Sequence, residues 1–260
     1  MPAGKIDLNA DVGESFGVYT LGMDAELMPL ISSANIACGF HAGDPAVMRR
    51  TVELARRSGT AVGAHPGLPD LAGFGRRAME IGLQEVRDIT AYQIGALQAV
   101  AAAQGERLQH VKPHGALYNM AVKKPEIWDA IAEVVSAIDD RLILFALAGP
   151  DRGTIEEIGR RRGIRVAFEF FADRAYNADG SLVARSRPGA VIRDPAVVAD
   201  KVLRFAREGR VATIEGGDIA LRAETICVHG DNPEAVALVR ALRETLLQAG
   251  IEIRRPAEFL

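Results

Sequence analysis

The stretch Ile6-Asp7-Leu8-Asn9-Ala10-Asp11-Val12-Gly13-Glu14 decides how this chain is read. Ile6–Leu8 has the look of a short buried strand, and Asn9, Asp11 and Glu14 follow it at once. A dinucleotide fold would place a glycine-rich fingerprint there, so that backbone amides meet a phosphate. Carboxylates stand in its place. The segment therefore argues against an open doubly wound sheet and for a strand that delivers acids at its carboxyl end.

The same pattern repeats outward from this segment. Buried strands are expected at Ser33–Ala37, Thr60–Gly63, Gln109–Lys112, Leu142–Leu147, Arg165–Phe168 and Thr225–Val228. Helices fall between them. Asp44-Pro45 is a strong helix start, because Asp caps free N–H groups and Pro suits the first helical position. That helix should run to about Arg57 and stop at Gly59. A second is expected from about Gln84 to Gln104, with Val86, Ile89, Leu97, Val100 and Ala101 on one side. A third starts at Asn232-Pro233, where Ala235, Leu238, Val239, Leu242 and Leu246 form an apolar stripe that leaves Arg240 and Glu244 outside it. Such alternation predicts a parallel sheet, and closure into a barrel is its natural solution. Tyr176–Arg185 and Val211–Leu221 break the rhythm and read as hairpins, through Ala178-Asp179-Gly180 and Gly216-Gly217. Neither has the composition of a linker, so residues 1–260 are expected to form a single barrel domain.

Composition narrows the function classes. The 260 residues are 48% apolar and 25% charged, with 31 Lys plus Arg against 34 Asp plus Glu. Such a balance excludes a disordered chain and offers no electrostatic footprint for nucleic acid or anionic membrane. The longest apolar stretch, Leu142–Gly149, is far short of the roughly 20 residues a membrane helix needs. Met1–Leu8 lacks a basic segment followed by an apolar core, so no signal peptide is expected. Cys38 and Cys227 are too few for a disulfide framework and read as buried cytoplasmic thiols among small apolar neighbours.

The polar residues cluster where strands end. Strand one leads to Asn9, Asp11 and Glu14, expected in a loop; strand two to Cys38, His41 and Asp44; strand three to His65 and Asp70. Strand four leads to Lys112, His114 and Asn119, strand six to Glu169, Asp173 and Arg174, and strand seven to His229 and Asp231. Four of the five histidines thus follow a strand's carboxyl end, the face where barrel enzymes carry their active sites. A lone histidine there is most often a satisfied surface or core group; four at equivalent positions point to an active site. The fifth, His110, sits at a strand's start and reads as structural. Asp11, His41, His65 and His114 form a candidate N/O site for a divalent metal, although their spacing is not a local metal motif. A metal-free alternative uses Asp or Glu as base, His as acid and Lys112 as an electrostatic clamp. Gly73-Phe74-Gly75-Arg76-Arg77 has the look of a phosphate loop but not its spacing.

Six segments resemble the lactam-utilisation family, whose members are also known as the A component of 5-oxoprolinase. They are DLNADVGE (Asp7–Glu14), NIACGFHAGDP (Asn35–Pro45), GAHPGLPDLAGFGRR (Gly63–Arg77), VKPHGALYN (Val111–Asn119), EFFADRAYNADGSLVAR (Glu169–Arg185) and ICVHGD (Ile226–Asp231). They span nearly the whole chain in family order. Ala10, Val12 and Leu68 depart from the residues most common in the family, Cys, Met and Tyr. The first implies that no essential thiol lies in that loop.

The resemblance implies an irregular seven-stranded β/α barrel similar to polysaccharide deacetylases. It also implies ATP-dependent opening of 5-oxo-L-proline to L-glutamate with two partners, the B and C subunits of 5-oxoprolinase. An unstrained lactam opens poorly at equilibrium, which is a physical reason to couple the step to ATP. No triphosphate loop is recognisable here, so ATP use is expected to depend on the partners. For such chemistry the catalytic candidates are Asp11, Glu14, His41, His65 and His114. Asn9, Lys112, Asn119, Arg174, Arg185, His229 and Asp231 are candidates for holding substrate. Two rivals predict different behaviour: a metal-dependent carbohydrate or N-acyl deacetylase acting alone without ATP, and a non-catalytic lactam-binding subunit.

Overall fold

The computed structural model describes residues 4–229 and 233–260. Its strands are β1 (Lys5–Val12), β2 (Ser33–Ala37), β3 (Ala61–His65), β4 (Leu108–Val111), β5 (Ile143–Leu147) and β6 (Arg165–Phe171). After these come β7 (Arg210–Ala212), β8 (Asp218–Ala220), β9 (Thr225–Val228) and the short β10 (Glu252–Ile253). Neighbours pair in parallel from β1 through β6 to β9, and β9 pairs back onto β1 with Asp7 opposite Thr225 and Asn9 opposite Cys227. The result is a closed seven-stranded parallel barrel. β10 extends the start of β1.

The helices are α1 (Asp24–Leu27), α2 (Pro45–Ser58), α3 (Leu83–Ala102), α4 (Gly115–Lys123), α5 (Pro125–Ile138), α6 (Arg152–Arg162), α7 (Pro195–Glu208) and α8 (Pro233–Gln248). The punctuation of α2 works as expected. The Asp44 carboxylate accepts from the Ala46 and Val47 amides, and Gly59 ends the helix at φ +69°. On α8, Leu238, Val239, Leu242 and Leu246 are buried while Arg240 and Glu244 are exposed. Asn232, its expected cap, lies outside the described residues.

The expected hairpin at 211–221 is the β7–β8 antiparallel pair. The one expected at 176–185 is a tight turn with a single antiparallel bridge between Tyr176 and Leu182. Backbone bonds from the Asn177 amide to Ser181 and from the Val183 amide to Ala175 flank it, while Tyr176 also bridges Thr213 and Arg174 bridges Val191.

The barrel interior is unusually polar. Most of the apolar core lies between strands and helices, whereas Ile143, Phe145 and Ala167 form a small separate cluster. Asp7, Asn9 and Asp11 sit on one face of β1, alternating with Ile6, Leu8, Ala10 and Val12, as the period of two requires. Asn9 and Asp11 therefore belong to the strand, not to the loop expected from the sequence. Each finds partners on the strands that flank β1. Asp7 accepts from Ser33 and Thr225 at 2.7 and 2.6 Å, and Asn9 donates to Thr225 at 2.6 Å. His110 crosses the interior to place Nε2 2.7 Å from Asn35 Oδ1, and its ring stacks on Phe145 at 4.2 Å. Gly63 opposite it must lack a side chain: a Cβ there would fall 2.0 Å from His110 Nε2.

Candidate active site

The carboxyl end of the barrel gathers residues from five strands. Asp11, near the end of β1, has Oδ2 3.3 Å from His65 Nε2 and Oδ1 3.0 Å from Lys112 Nζ. Asn35 donates to the same Oδ1 at 2.8 Å. Burial works against charge on Asp11, but His65 and Lys112 outweigh it and hold its carboxyl well below the usual range. Lys112 is only 2% exposed. Its ammonium also lies 2.7 Å from Glu169 Oε2 and donates to Asn9 Oδ1 at 3.2 Å and Cys227 Sγ at 3.1 Å. Burial opposes this charge as well; Asp11 and Glu169 outweigh it and push the Lys112 pKa up. Lys112 is thus committed to fixing Asp11 and Glu169, not to holding substrate as its sequence position suggested.

Beside this ion cluster stand three histidines. The His65 Nδ1 faces the Lys112 carbonyl at 2.6 Å, and the His114 Nε2 faces the Phe74 carbonyl at 2.9 Å. A carbonyl only accepts, so each of those nitrogens must carry the proton. The other two nitrogens, His65 Nε2 and His114 Nδ1, face each other 2.9 Å apart, and neither can donate unless its ring carries a second proton. His41 stacks on His114 with ring centroids 3.7 Å apart. The Glu14 carboxylate lies 3.4 Å from His41 Nε2 and 3.8 Å from His114 Nδ1.

Both His41 ring nitrogens and Glu14 Oε1 are buried without a hydrogen-bond partner among the described residues. Burial depresses the His41 and His114 pKa values, so both rings are neutral. Burial and the nearby Asp11 raise the Glu14 carboxyl to about 7. One ligand atom from each of Glu14, His41, His65 and His114 lies within 4.8 Å of the others. Facing lone pairs, orphaned buried polar atoms and second nitrogens anchored on carbonyls are what a divalent cation site requires. Glu14 takes the position given to Asp11 in the sequence-derived metal set. The positive φ of Gly13, +69°, turns the chain between them.

The loop Gly73–Arg77 supports this cluster. Phe74 supplies the His114 acceptor, and the Gly75 carbonyl accepts from the Ala116 amide. A Cβ on Gly75, at φ +64°, would fall 2.6 Å from the His41 Cβ. Arg77 is paired with Asp70. The resemblance to a phosphate loop therefore has no structural counterpart.

His229 follows β9, on the far side of β1 from His41. Its Nδ1 binds Asp173 Oδ2 at 2.7 Å, and its Nε2 lies 3.3 Å from Arg185. Burial opposes protonation of His229, but Asp173 outweighs it and raises the pKa. Because β9 runs parallel to β1 and β6, His229 stands at the same end of the barrel as the residues that follow the other strands. Lys201 of α7 holds the segment carrying Asp173 by donating to the carbonyls of Phe171, Ala172 and Arg174.

Two other candidates fall elsewhere. Arg174 is buried with its guanidinium donating to the Ala190 and Val183 carbonyls, so it braces a loop and is not available to clamp a substrate. Asn119 is exposed on α4 and makes no described bond to the site. Asp231 lies outside the described residues. Sequence reasoning left Glu169 and Tyr118 out of the site, although the Tyr118 hydroxyl donates to Glu169 at 3.1 Å beneath Lys112. The available signal was an acid inside the apolar run Phe168-Glu169-Phe170-Phe171. Cys38 and Cys227 are buried, with thiol pKa values raised by burial, to about 12 for Cys38.

Residues 6–260 match the LamB/YcsF family. The chain belongs to this family. Among its members, a protein of Tolumonas auensis described as the A subunit of 5-oxoprolinase is 53% identical over 96% of this chain and 98% of its own length. A Pyrococcus furiosus protein of the same description is 52% identical over 98% and 99%. The solved structure of a family member, a lactam utilization protein from Thermus thermophilus, is 50% identical, covers 96% of this chain and 99% of its own, and superimposes with a TM-score of 0.90. The family's barrel is therefore this chain's barrel.

Proposed function

We propose that this chain is the A component of a cytoplasmic 5-oxoprolinase, opening 5-oxo-L-proline to L-glutamate with ATP and the partner B and C subunits. Full-length identity near one half to proteins of that description supports the substrate. The observation that carries the chemistry is the pairing of an ionised Asp11 with the Glu14–His41–His65–His114 cluster on one barrel mouth.

Those four residues would hold a divalent cation, which would supply Lewis-acid polarisation of the lactam carbonyl. Asp11, ionised and fixed by Lys112 and His65, takes the proton from an attacking water. His229 takes the donor role to the leaving nitrogen, because Asp173 favours its protonated form whereas burial holds His41 and His114 neutral. Donation is from Nε2 once Arg185, a donor only, turns from it to the substrate carboxylate. That gives the acid role to His229, which the sequence offered only as a candidate for holding substrate. Arg185, beside His229, is placed to take the substrate carboxylate. ATP use falls to the partners in this reading.

The deciding experiment is glutamate release from 5-oxoproline by the chain with the B and C subunits, with and without ATP. ATP-dependent release only in the full mixture is expected. Absence of release in the full mixture would overturn the reading. The cation-type cluster favours one second reading, an amide or N-acyl hydrolase acting alone. Metal-stimulated amide hydrolysis by the isolated chain, without ATP, would establish it.

A further inference from the structure

Eleven large hydrophobic side chains are exposed among the described residues; four lie within Phe16–Leu21, four within Leu71–Tyr92, and only three elsewhere. Scattered exposed hydrophobics are ordinary on a protein surface, whereas such a concentration marks a surface meant to be covered. Both segments belong to the mouth. Phe16–Leu21 begins two residues after Glu14, and the second segment includes Phe74, whose carbonyl anchors His114.

The first segment is a pinned projection. Phe16 and Tyr19 exchange two backbone hydrogen bonds of 3.0 and 2.9 Å around Gly17-Val18. Asp44 accepts from the Gly17 amide at 2.8 Å, and Ser15 Oγ accepts from the Leu21 amide at 3.0 Å. At the tip Val18 is 92% and Tyr19 75% exposed. A projection already held in one conformation loses little entropy on docking, and an aromatic beside aliphatic groups is the composition of an interface hot spot.

We propose that this apolar rim is the docking surface for a different protein of the same hydrolase, which seats on Val18 and Tyr19 and closes over the mouth carrying Glu14, His41 and His114. The proposal rests on the reading of the chain as one component of a multi-subunit hydrolase. It commits to a partner presenting a complementary apolar surface, in keeping with the description of the full-length relatives as one subunit among several. Covering the mouth excludes water from the ion cluster, which strengthens every charge interaction inside it.

The test is co-purification of the full chain with tagged B and C subunits, comparing wild type, Val18→Asp, Val18→Asp/Tyr19→Asp and the control Leu247→Asp, an exposed position at the end of α8 just before β10, which pairs with the start of β1. The wild type and the control are expected to co-elute with the partners. The rim variants should bind at least about tenfold more weakly, as loss of a hot-spot residue implies, with unchanged melting temperature. Wild type and rim variants co-eluting equally would overturn the docking surface while leaving the multi-subunit reading intact. Failure of wild type to co-elute would overturn the multi-subunit reading and the proposal with it. A dimer of the chain alone that the rim variants dissolve would assign the rim to self-association and overturn the proposal.

Discussion

His65 Nε2 and His114 Nδ1 face each other at 2.9 Å, and the opposite nitrogen of each ring is taken by a backbone carbonyl. Two ring nitrogens held this way repel through their lone pairs unless a proton or a cation lies between them. The backbone has thus fixed both tautomers before any ligand arrives. Glu14 and His41, each with unpartnered buried atoms, complete the arrangement.

A divalent cation should therefore bind at one site per chain. Equilibrium dialysis of the chain against zinc or manganese is expected to show one equivalent bound. His114→Gln should weaken binding by at least about tenfold, in line with the known sensitivity of metal affinity to ligand-shell changes. Unchanged stoichiometry and affinity in His114→Gln would remove His114 from the site.

Asp11 and His229 are the expected proton acceptor and donor. Asp11→Asn keeps the shape, and His229→Gln keeps a side-chain amide near Asp173. Each should lower glutamate release in the reconstituted mixture by about 10²–10⁴-fold, the usual cost of losing a proton-transfer group. Melting temperature on the same preparations separates this from unfolding. Near-wild-type turnover in either folded variant would exclude that residue.

The Asp173–His229 pair should leave a pH signature in stability. His229 has a folded pKa above its ordinary 6.5, so its contribution is complete below 6.5 and is lost as pH rises through the folded value. Asp173, whose carboxyl His229 lowers against the effect of burial, contributes above 3.8 and loses that contribution as pH falls through its folded value. Asp173→Asn should thus cost most between about pH 4 and 6.5, on the order of 1.5–3 kcal/mol for a charged hydrogen bond, and less at pH 9. Thermal melts at pH 6 and 9 check it; an equal loss at both would contradict the assignment.

Gly63→Ala should destabilise the barrel, because the new Cβ meets His110 Nε2 at 2.0 Å. Overpacking of this kind costs about 1–3 kcal/mol or more. Gly63→Ala/His110→Ala removes the obstructing ring, so its loss should be smaller than the sum of the two single losses. Additive losses in thermal or denaturant unfolding would show that the close approach is not the cause.

The alternation of strands and helices was legible in the sequence because its signals are local. Asp44-Pro45 and Gly59 bound α2 through a side-chain cap and a positive φ, whatever the rest of the chain does. Four histidines and several acids after strand ends likewise declared the polar end, since a parallel barrel sends every such position to one end. By itself, then, the sequence determined the barrel and the end that carries the polar groups. What only the tertiary structure decided is which polar group meets which. Asp11 and Glu14 are three residues apart, yet one is fixed by Lys112 and His65 while the other faces His41 and His114, because the strand ends between them and Gly13 turns the chain. Arg174 was as plausible a clamp as Arg185 until the carbonyls of Val183 and Ala190, brought back by an excursion from the sheet, engaged it. Alternation along β1 marks two faces but cannot say that the polar one is buried; only barrel closure, which brings Ser33, Asn35, Lys112 and Thr225 to meet Asp7, Asn9 and Asp11, makes that face an interior.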